Sequence, residues 1–137
     1  MVSNKLIIFT DGGARGNPGH AAIGVLIGDR GYKEYIGETT NNVAEYKAVI
    51  FALKKVIQIF GKDKAKEFIL EINVDSELLY KQVGGEYKVK DVDLQLLFIE
   101  IWNLKQDFKF VKFNLVPREK NVEADKLVNE ELDSHLL

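Results

Sequence analysis

Apolar and polar positions alternate along the chain in blocks that read as strands and helices. Leu6, Ile7, Ile8 and Phe9 form an unbroken apolar run inside Lys5 to Thr10, the pattern of a central strand covered on both faces, and the run stops at Asp11. The glycine-rich stretch Gly12 to Gly19, with Pro18 inside it, predicts a turn. Ala21 to Ile27 and Tyr32 to Glu38 are β-rich runs on either side of Gly28, Asp29, Arg30 and Gly31, so the opening predicts a three-strand meander. Thr40, Asn41 and Asn42 supply N-cap chemistry for a long helix whose Val49, Ala52, Val56 and Ile59 make one apolar stripe, with Gly61 as its stop. Phe68 to Val74 is a further strand ending at Asp75, after which Ser76 caps a short helix closed by Gly84 and Gly85. Asp91 to Leu104 reads as a helix, Phe108 to Leu115 as a strand ended by Pro117, and Val122 to Leu136 as a closing helix capped by Asn121.

This order predicts one α/β domain over residues 1–137 with a mixed sheet. A helix separates the meander from Phe68 to Val74, so that strand can return parallel to Lys5 to Thr10 by a right-handed crossover. Both strands then end at one sheet edge, each in an aspartate, and in open α/β sheets that edge is where ligands bind. Phe60, Phe98, Trp102, Phe110 and Phe113 have core-like spacing and are assigned to packing.

Composition narrows the chemistry. Hydrophobic residues at 46% and charged residues at 29% exclude a disordered chain. No apolar stretch approaches the roughly 18 residues of a membrane span, and no leader pattern follows the Leu6 to Phe9 run, so a soluble cytoplasmic protein with no membrane partner is expected. Cysteine is absent, which removes disulfides, thiolate metal sites and thiol nucleophiles together; His20 and His135 are the only imidazoles and read as incidental surface residues. Catalysis, where present, must rest on carboxylates. The net charge of −2 argues against binding nucleic acid by bulk charge, unless a set of acids is neutralised by bound cations, in which case the remaining surface is basic.

Four acids are candidates, each with an ordinary alternative. Asp11 precedes two glycines and is equally a turn former. Glu45 lies on the same stripe as Val49, Ala52 and Val56, where a charge must be paired, metal-bound or at an edge; alternatively it serves the positive end of the helix. Asp75 repeats the Asp11 pattern, with Ser76 free to take the capping role. Asp125 shares a face with Val128 and Leu132, or is a plain surface acid. Taken together they surround one sheet edge, where like charges repel unless cations intervene. An all-oxygen set suits Mg²⁺, and two such ions roughly 3.5–4 Å apart can activate water and stabilise the departing oxygen of a phosphodiester.

The runs D-G-G-A-R-G-N-P-G at Asp11 to Gly19, T-T-N-N-V-A-E-Y at Thr39 to Tyr46, V-D-S at Val74 to Ser76 and P-R-E-K-N-V-E-A-D at Pro117 to Asp125 together resemble type 1 ribonuclease H, in order and over nearly the whole chain. The resemblance implies the ribonuclease H-like fold, a five-stranded mixed sheet flanked by helices. It also implies a catalytic and metal-binding set of Asp11, Glu45, Asp75 and Asp125 holding two Mg²⁺ or Mn²⁺ ions in the substrate complex, with Asp11 bridging both. The implied reaction is endonucleolytic hydrolysis of RNA paired with DNA, giving 3′-hydroxyl and 5′-phosphate ends. A non-catalytic hybrid- or RNA-binding module of the same fold is the alternative, and double-stranded RNA stays open as a second substrate. A monomer is expected.

Gly12, Asn17, Thr40, Asn41 and Asn42 are the expected substrate contacts. Asn17 would bond in a minor groove and Thr40 would meet a phosphate of the DNA strand. One of Asn41 and Asn42 is free to cap the helix while the other reaches sugar or base edges. Many bacterial relatives carry a basic helical protrusion for which Gln82 to Asp91 leaves no room, and a histidine in the loop before the last helix that Leu115 to Asn121 lacks. Arg118 is the nearest substitute, as a fixed charge near phosphate or product end, or as an ordinary loop arginine.

Overall fold

The first strand does not stop at Asp11. In the structure, a computed structural model describing residues 4–136, β1 (Lys5–Gly16) runs straight through the glycine pair and pairs with β2 (Gly19–Ile27) as far as Gly16 opposite Gly19. The turn expected over Gly12 to Gly19 is therefore confined to Asn17 and Pro18. A two-residue loop leads into β3 (Arg30–Thr39), and α1 (Asn41–Phe60) follows, ended by Gly61. After α2 (Lys62–Ala65), a single turn that periodicity could not register, come β4 (Ile69–Val74), α3 (Glu77–Val83), α4 (Val92–Lys105), β5 (Phe110–Leu115) and α5 (Val122–His135). A 3₁₀ turn at Arg118–Lys120 precedes α5. The strands form one mixed sheet in the order β3-β2-β1-β4-β5, with β4 parallel to both β1 and β5. Strand β4 returns parallel to β1 as expected, but only β4 ends at its aspartate; β1 passes through Asp11 beside that end.

Glycine at position 12 serves close approach rather than a turn. A Cβ there would lie 2.2 Å from the Ala44 carbonyl carbon and 2.5 Å from the Glu45 nitrogen, so α1 rests directly on the β1 backbone. On the opposite face, a Cβ at Gly24 would lie 2.3 Å from the Ala124 carbonyl oxygen and 2.9 Å from Leu127 Cβ, so α5 rests on β2 in the same manner. Because Asp11 pairs with Gly24 and Gly12 with Ile23, the two contacts flank Asp11 from opposite faces of the sheet. The main core fills the space between the sheet and α1, α3 and α4, centred on Ile8, Val49, Leu53, Val56, Leu70 and Ile72. A smaller cluster of Ala22, Val128 and Leu132, joined by Tyr35, seats α5.

Several burial expectations are corrected. Ile7 is 45% exposed, since its face of β1 is covered by α5 only near the Asp11 end. Phe60, Trp102 and Phe110 are exposed; Phe98 and Phe113 pack against the main core as expected. Helix α4 is apolar around its whole circumference, so spacing alone could not tell its inner face (Leu94, Ile101) from its outer one (Val92, Leu96, Ile99, Trp102). His20 and His135 are not incidental: His20 Nδ1 shares a 2.7 Å hydrogen bond with the Tyr35 hydroxyl, and the His135 ring stacks on Tyr35 at 3.5 Å. Among the described residues no helix is long and apolar enough to cross a membrane.

Substituting Gly12→Ala or Gly24→Ala should destabilise the fold by about 1–3 kcal/mol in denaturant titration, because a helix backbone must move. Gly31→Ala, whose Cβ would meet only the tip of Leu127 at 3.2 Å, should fall below that range.

Candidate active site

Asp11 sits on β1 just beyond the last residue paired with β4, and Asp75 follows the end of β4 directly. Both backbones deliver their carboxylates to one edge of the sheet. Glu45, in the opening turns of α1, reaches the same point because α1 is pressed onto Gly12. One carboxylate oxygen from each of Asp11, Glu45 and Asp75 lies within 4.8 Å of the other two. Asp125 stands outside that mutual triad but lines the same cleft from α5, and its carboxylate is close enough to raise the pKa of Asp11. Three acids therefore meet directly, and the fourth stands beside Asp11.

The electrostatics follow from burial and crowding. Asp11, only 7% exposed, has its pKa pushed up to about 7, first by burial and then by the charges of Asp75 and Asp125, with a hydrogen bond to Glu45 partly opposing the rise. Glu45 is raised well above the usual carboxylate range by burial first and then by Asp11 and Asp75, although the Gly12 amide favours its charged form. The metal-free cluster thus holds its protons to a higher pH than free carboxylates do. Glu45 Oε2 is buried and has no hydrogen-bond partner among the described residues. A buried carboxylate oxygen without a donor, in an all-oxygen set carrying excess negative charge, fits a hard divalent cation of the Mg²⁺ or Mn²⁺ class.

The cleft above these acids has a volume of about 640 Å³, and Gly12, Asn41, Asn42 and Arg118 line it. Thr40 and Asn17 are not among its lining residues, but both bond to the start of α1 beside it. The Thr40 hydroxyl accepts from the Val43 amide at 3.2 Å, so Thr40 caps α1 and neither asparagine does, which corrects the expectation for Asn41 and Asn42. Asn17 Oδ1 accepts from the Asn41 amide at 3.0 Å, and Asn41 Oδ1 accepts from the Ala14 amide at 2.8 Å. This chain of bonds fixes the β1–β2 turn against the start of α1. Glu77, at the first turn of α3, also lines the cleft, and its place directly after Asp75 and Ser76 was the available signal. Asn121, expected to cap α5, makes no capping bond with its side chain. Its amide reaches inward to Asp75 instead.

A family model described as reverse transcriptase-like matches residues 9–131. The chain belongs to that family. Its resemblance to type 1 ribonuclease H is borne out by the relatives around it. A Halobacterium salinarum protein named ribonuclease HI is 40% identical over 131 residues, covering 91% of this chain and 63% of that protein. A bifunctional protein of Mycobacterium tuberculosis is 34% identical over 137 residues, covering 95% of this chain and 36% of its own length. The chain thus spans between about a third and two thirds of these curated relatives. Among solved structures, LC11-RNase H1, isolated from compost by a metagenomic approach, is 48% identical and superposes with a TM-score of 0.90 over 98% of this chain and 99% of that one. The same protein has been solved in complex with an RNA/DNA hybrid, at 46% identity and TM-score 0.90 over 96% of this chain and 99% of that one. The five-stranded ribonuclease H-like sheet expected from the motifs is therefore the fold of this reverse transcriptase-like domain.

The raised pKa of Asp11 sets the sign of a pH effect. Folding favours its protonated form, so the stabilisation this proton provides is complete below the ordinary value of 3.8 and is lost as pH rises through about 7. In the presence of EDTA, thermal melts should therefore show stability falling across that interval, and Asp11→Asn should flatten the fall. Millimolar Mg²⁺ should raise the melting temperature more above the interval than within it, because the cation competes with the retained proton.

Proposed function

We propose that this chain is a metal-dependent endoribonuclease that hydrolyses the RNA strand of RNA/DNA hybrids and leaves 3′-hydroxyl and 5′-phosphate ends. A single catalytic domain acting as a cytoplasmic monomer is part of the same proposal. The observation that carries it is the triad of Asp11, Glu45 and Asp75 at the floor of an open cleft, with Glu45 Oε2 buried and unpartnered. Further support comes from LC11-RNase H1, solved with an RNA/DNA hybrid.

In this reading Asp11, Glu45, Asp75 and Asp125 would hold two divalent ions, Mg²⁺ or Mn²⁺. Bound there, such ions supply a more acidic water and charge stabilisation at the scissile phosphate. The remaining work falls to the chain's own donors. The oxygens of the Asn17 and Asn41 amides are occupied by backbone N–H groups, which orients the two side chains and leaves their NH₂ groups to donate to sugar and base edges in a minor groove. The Thr40 hydroxyl accepts from Val43, which leaves its own proton free to donate to a phosphate oxygen of the DNA strand. Asn42 contributes from the cleft wall, while Gly12, whose missing side chain admits α1, has only its backbone to offer substrate at the cleft lining. Arg118, at the 3₁₀ turn beside the cleft, acts as a positive charge for phosphate or the product end.

A labelled hybrid incubated with the protein and Mg²⁺ or Mn²⁺ should yield RNA fragments ending in 3′-hydroxyl groups, and Asp11→Asn should reduce the rate by at least about a thousandfold. Hybrid left uncut with both metals sinks the proposal, and binding without cleavage would establish the hybrid-binding module instead. Parallel lanes with double-stranded RNA determine whether it is a second substrate. Arg118→Ala should lower kcat/KM by about tenfold, with the loss shrinking as salt rises.

A further inference from the structure

Asn121 is among the most enclosed polar residues of the molecule, 1% exposed at the entrance to α5. Its side-chain Nδ2 donates to the Thr10 carbonyl at 2.9 Å and to Asp75 Oδ2 at 3.1 Å. Its backbone carbonyl accepts the Asp125 amide at 3.1 Å, and its backbone amide donates to the Arg118 carbonyl at 2.9 Å. One residue thus holds the Asp75 carboxylate directly, the peptide next to Asp11, and the first turn of the helix that carries Asp125. Its Oδ1 is buried without a partner among the described residues. Packing alone would favour an apolar side chain of similar shape over an amide with half its hydrogen-bonding capacity unmet.

We propose that Asn121 is a positioning residue for the acid cluster: its neutral amide fixes the plane of the Asp75 carboxylate and ties it to β1 beside Asp11, so that the site is pre-set to receive a divalent cation. The choice of donor matters. A lysine or arginine in this place would orient Asp75 equally well but would neutralise it and repel the incoming ion, whereas an amide orients the carboxylate and leaves its charge intact. The inference rests on the cation-binding part of the function proposed above.

The test is calorimetric titration of the metal-free chain with Mn²⁺. Asn121→Leu keeps the volume and removes the donor, and it should weaken Mn²⁺ binding by about tenfold or more. In the Asp75→Asn background the same substitution should change Mn²⁺ affinity by less than about twofold, because the group it acts through has been removed. On a labelled hybrid, the Asn121→Leu loss should fall on kcat, with KM unchanged. Circular dichroism establishes that the variant is folded, and if Asn121→Leu does not fold, Asn121→Ser is read by the same titration. Unchanged Mn²⁺ affinity in a folded variant, or an equal loss with and without Asp75, overturns the inference. A wild-type chain that shows this Mn²⁺ dependence yet leaves hybrid uncut refutes the nuclease function alone. Hybrid cleavage with Mn²⁺ affinity indifferent to position 121 refutes the positioning role alone.

Discussion

Three carboxylates within 4.8 Å of one another are held together against their own repulsion, and the rest of the molecule is arranged to make that possible. Buried like charges at this spacing favour separation or protonation, and the rise of Asp11 to about 7 registers that conflict. What opposes separation is backbone contact. Helix α1 cannot retreat from β1 without opening the seam at Gly12, and α5 cannot retreat from β2 without opening the one at Gly24. Each seam is locked by apolar burial further along its helix, through Val49, Leu53 and Val56 for α1 and through Val128 and Leu132 for α5. Hydrophobic packing thus supplies the force, and two missing Cβ atoms set the distance at which it acts.

The two helices are not held with equal firmness. Helix α1 has nine buried residues and lies within the main core, whereas α5 buries only Ala124, Val128 and Leu132 and completes its attachment with polar contacts. Arg15 meets Asp133 at 2.6 Å, Lys33 meets Glu130 at 3.4 Å, and His135 stacks on Tyr35. The two ion pairs are exposed, individually weak and screened by salt. The difference matches the site. Glu45, on the firmly packed helix, belongs to the tight triad, and Asp125, on the lightly attached one, stands just outside it. Three acids on a rigid frame with a fourth on a more lightly attached element suit the cation-binding centre proposed above.

What the sequence revealed follows from which forces leave a periodic trace. Strand and helix order, the parallel return of β4, and the delivery of Asp11 and Asp75 to one edge were all legible, because burial imposes periods of two and 3.6 on the apolar positions. Glu45 was legible for the opposite reason, as a charge interrupting an apolar stripe. The passage of β1 through Gly12 and Gly13 was not, since local turn chemistry and long-range close approach use the same residue and only tertiary contact separates them. The outward-facing Trp102 and the edge-strand Phe110 were misassigned because periodicity shows that a face is apolar, not what covers it.

Asn121 was illegible in a more instructive way. An asparagine immediately before a helix is ordinarily a cap, and nothing local distinguishes one that turns its amide inward. The distinction arises because the Asp75 carboxylate and the Thr10 carbonyl, distant in sequence, arrive beneath the start of α5 and present two acceptors to one NH₂ group. A capping bond would use the Asn121 oxygen as acceptor, whereas the tertiary bonds use its NH₂ group as donor to a carboxylate and a carbonyl, and turning the amide inward to make both leaves Oδ1 without a partner among the described residues. The same hierarchy governs the entire site: at Thr40, where no buried charge competes, the local rule holds and the side chain caps its helix.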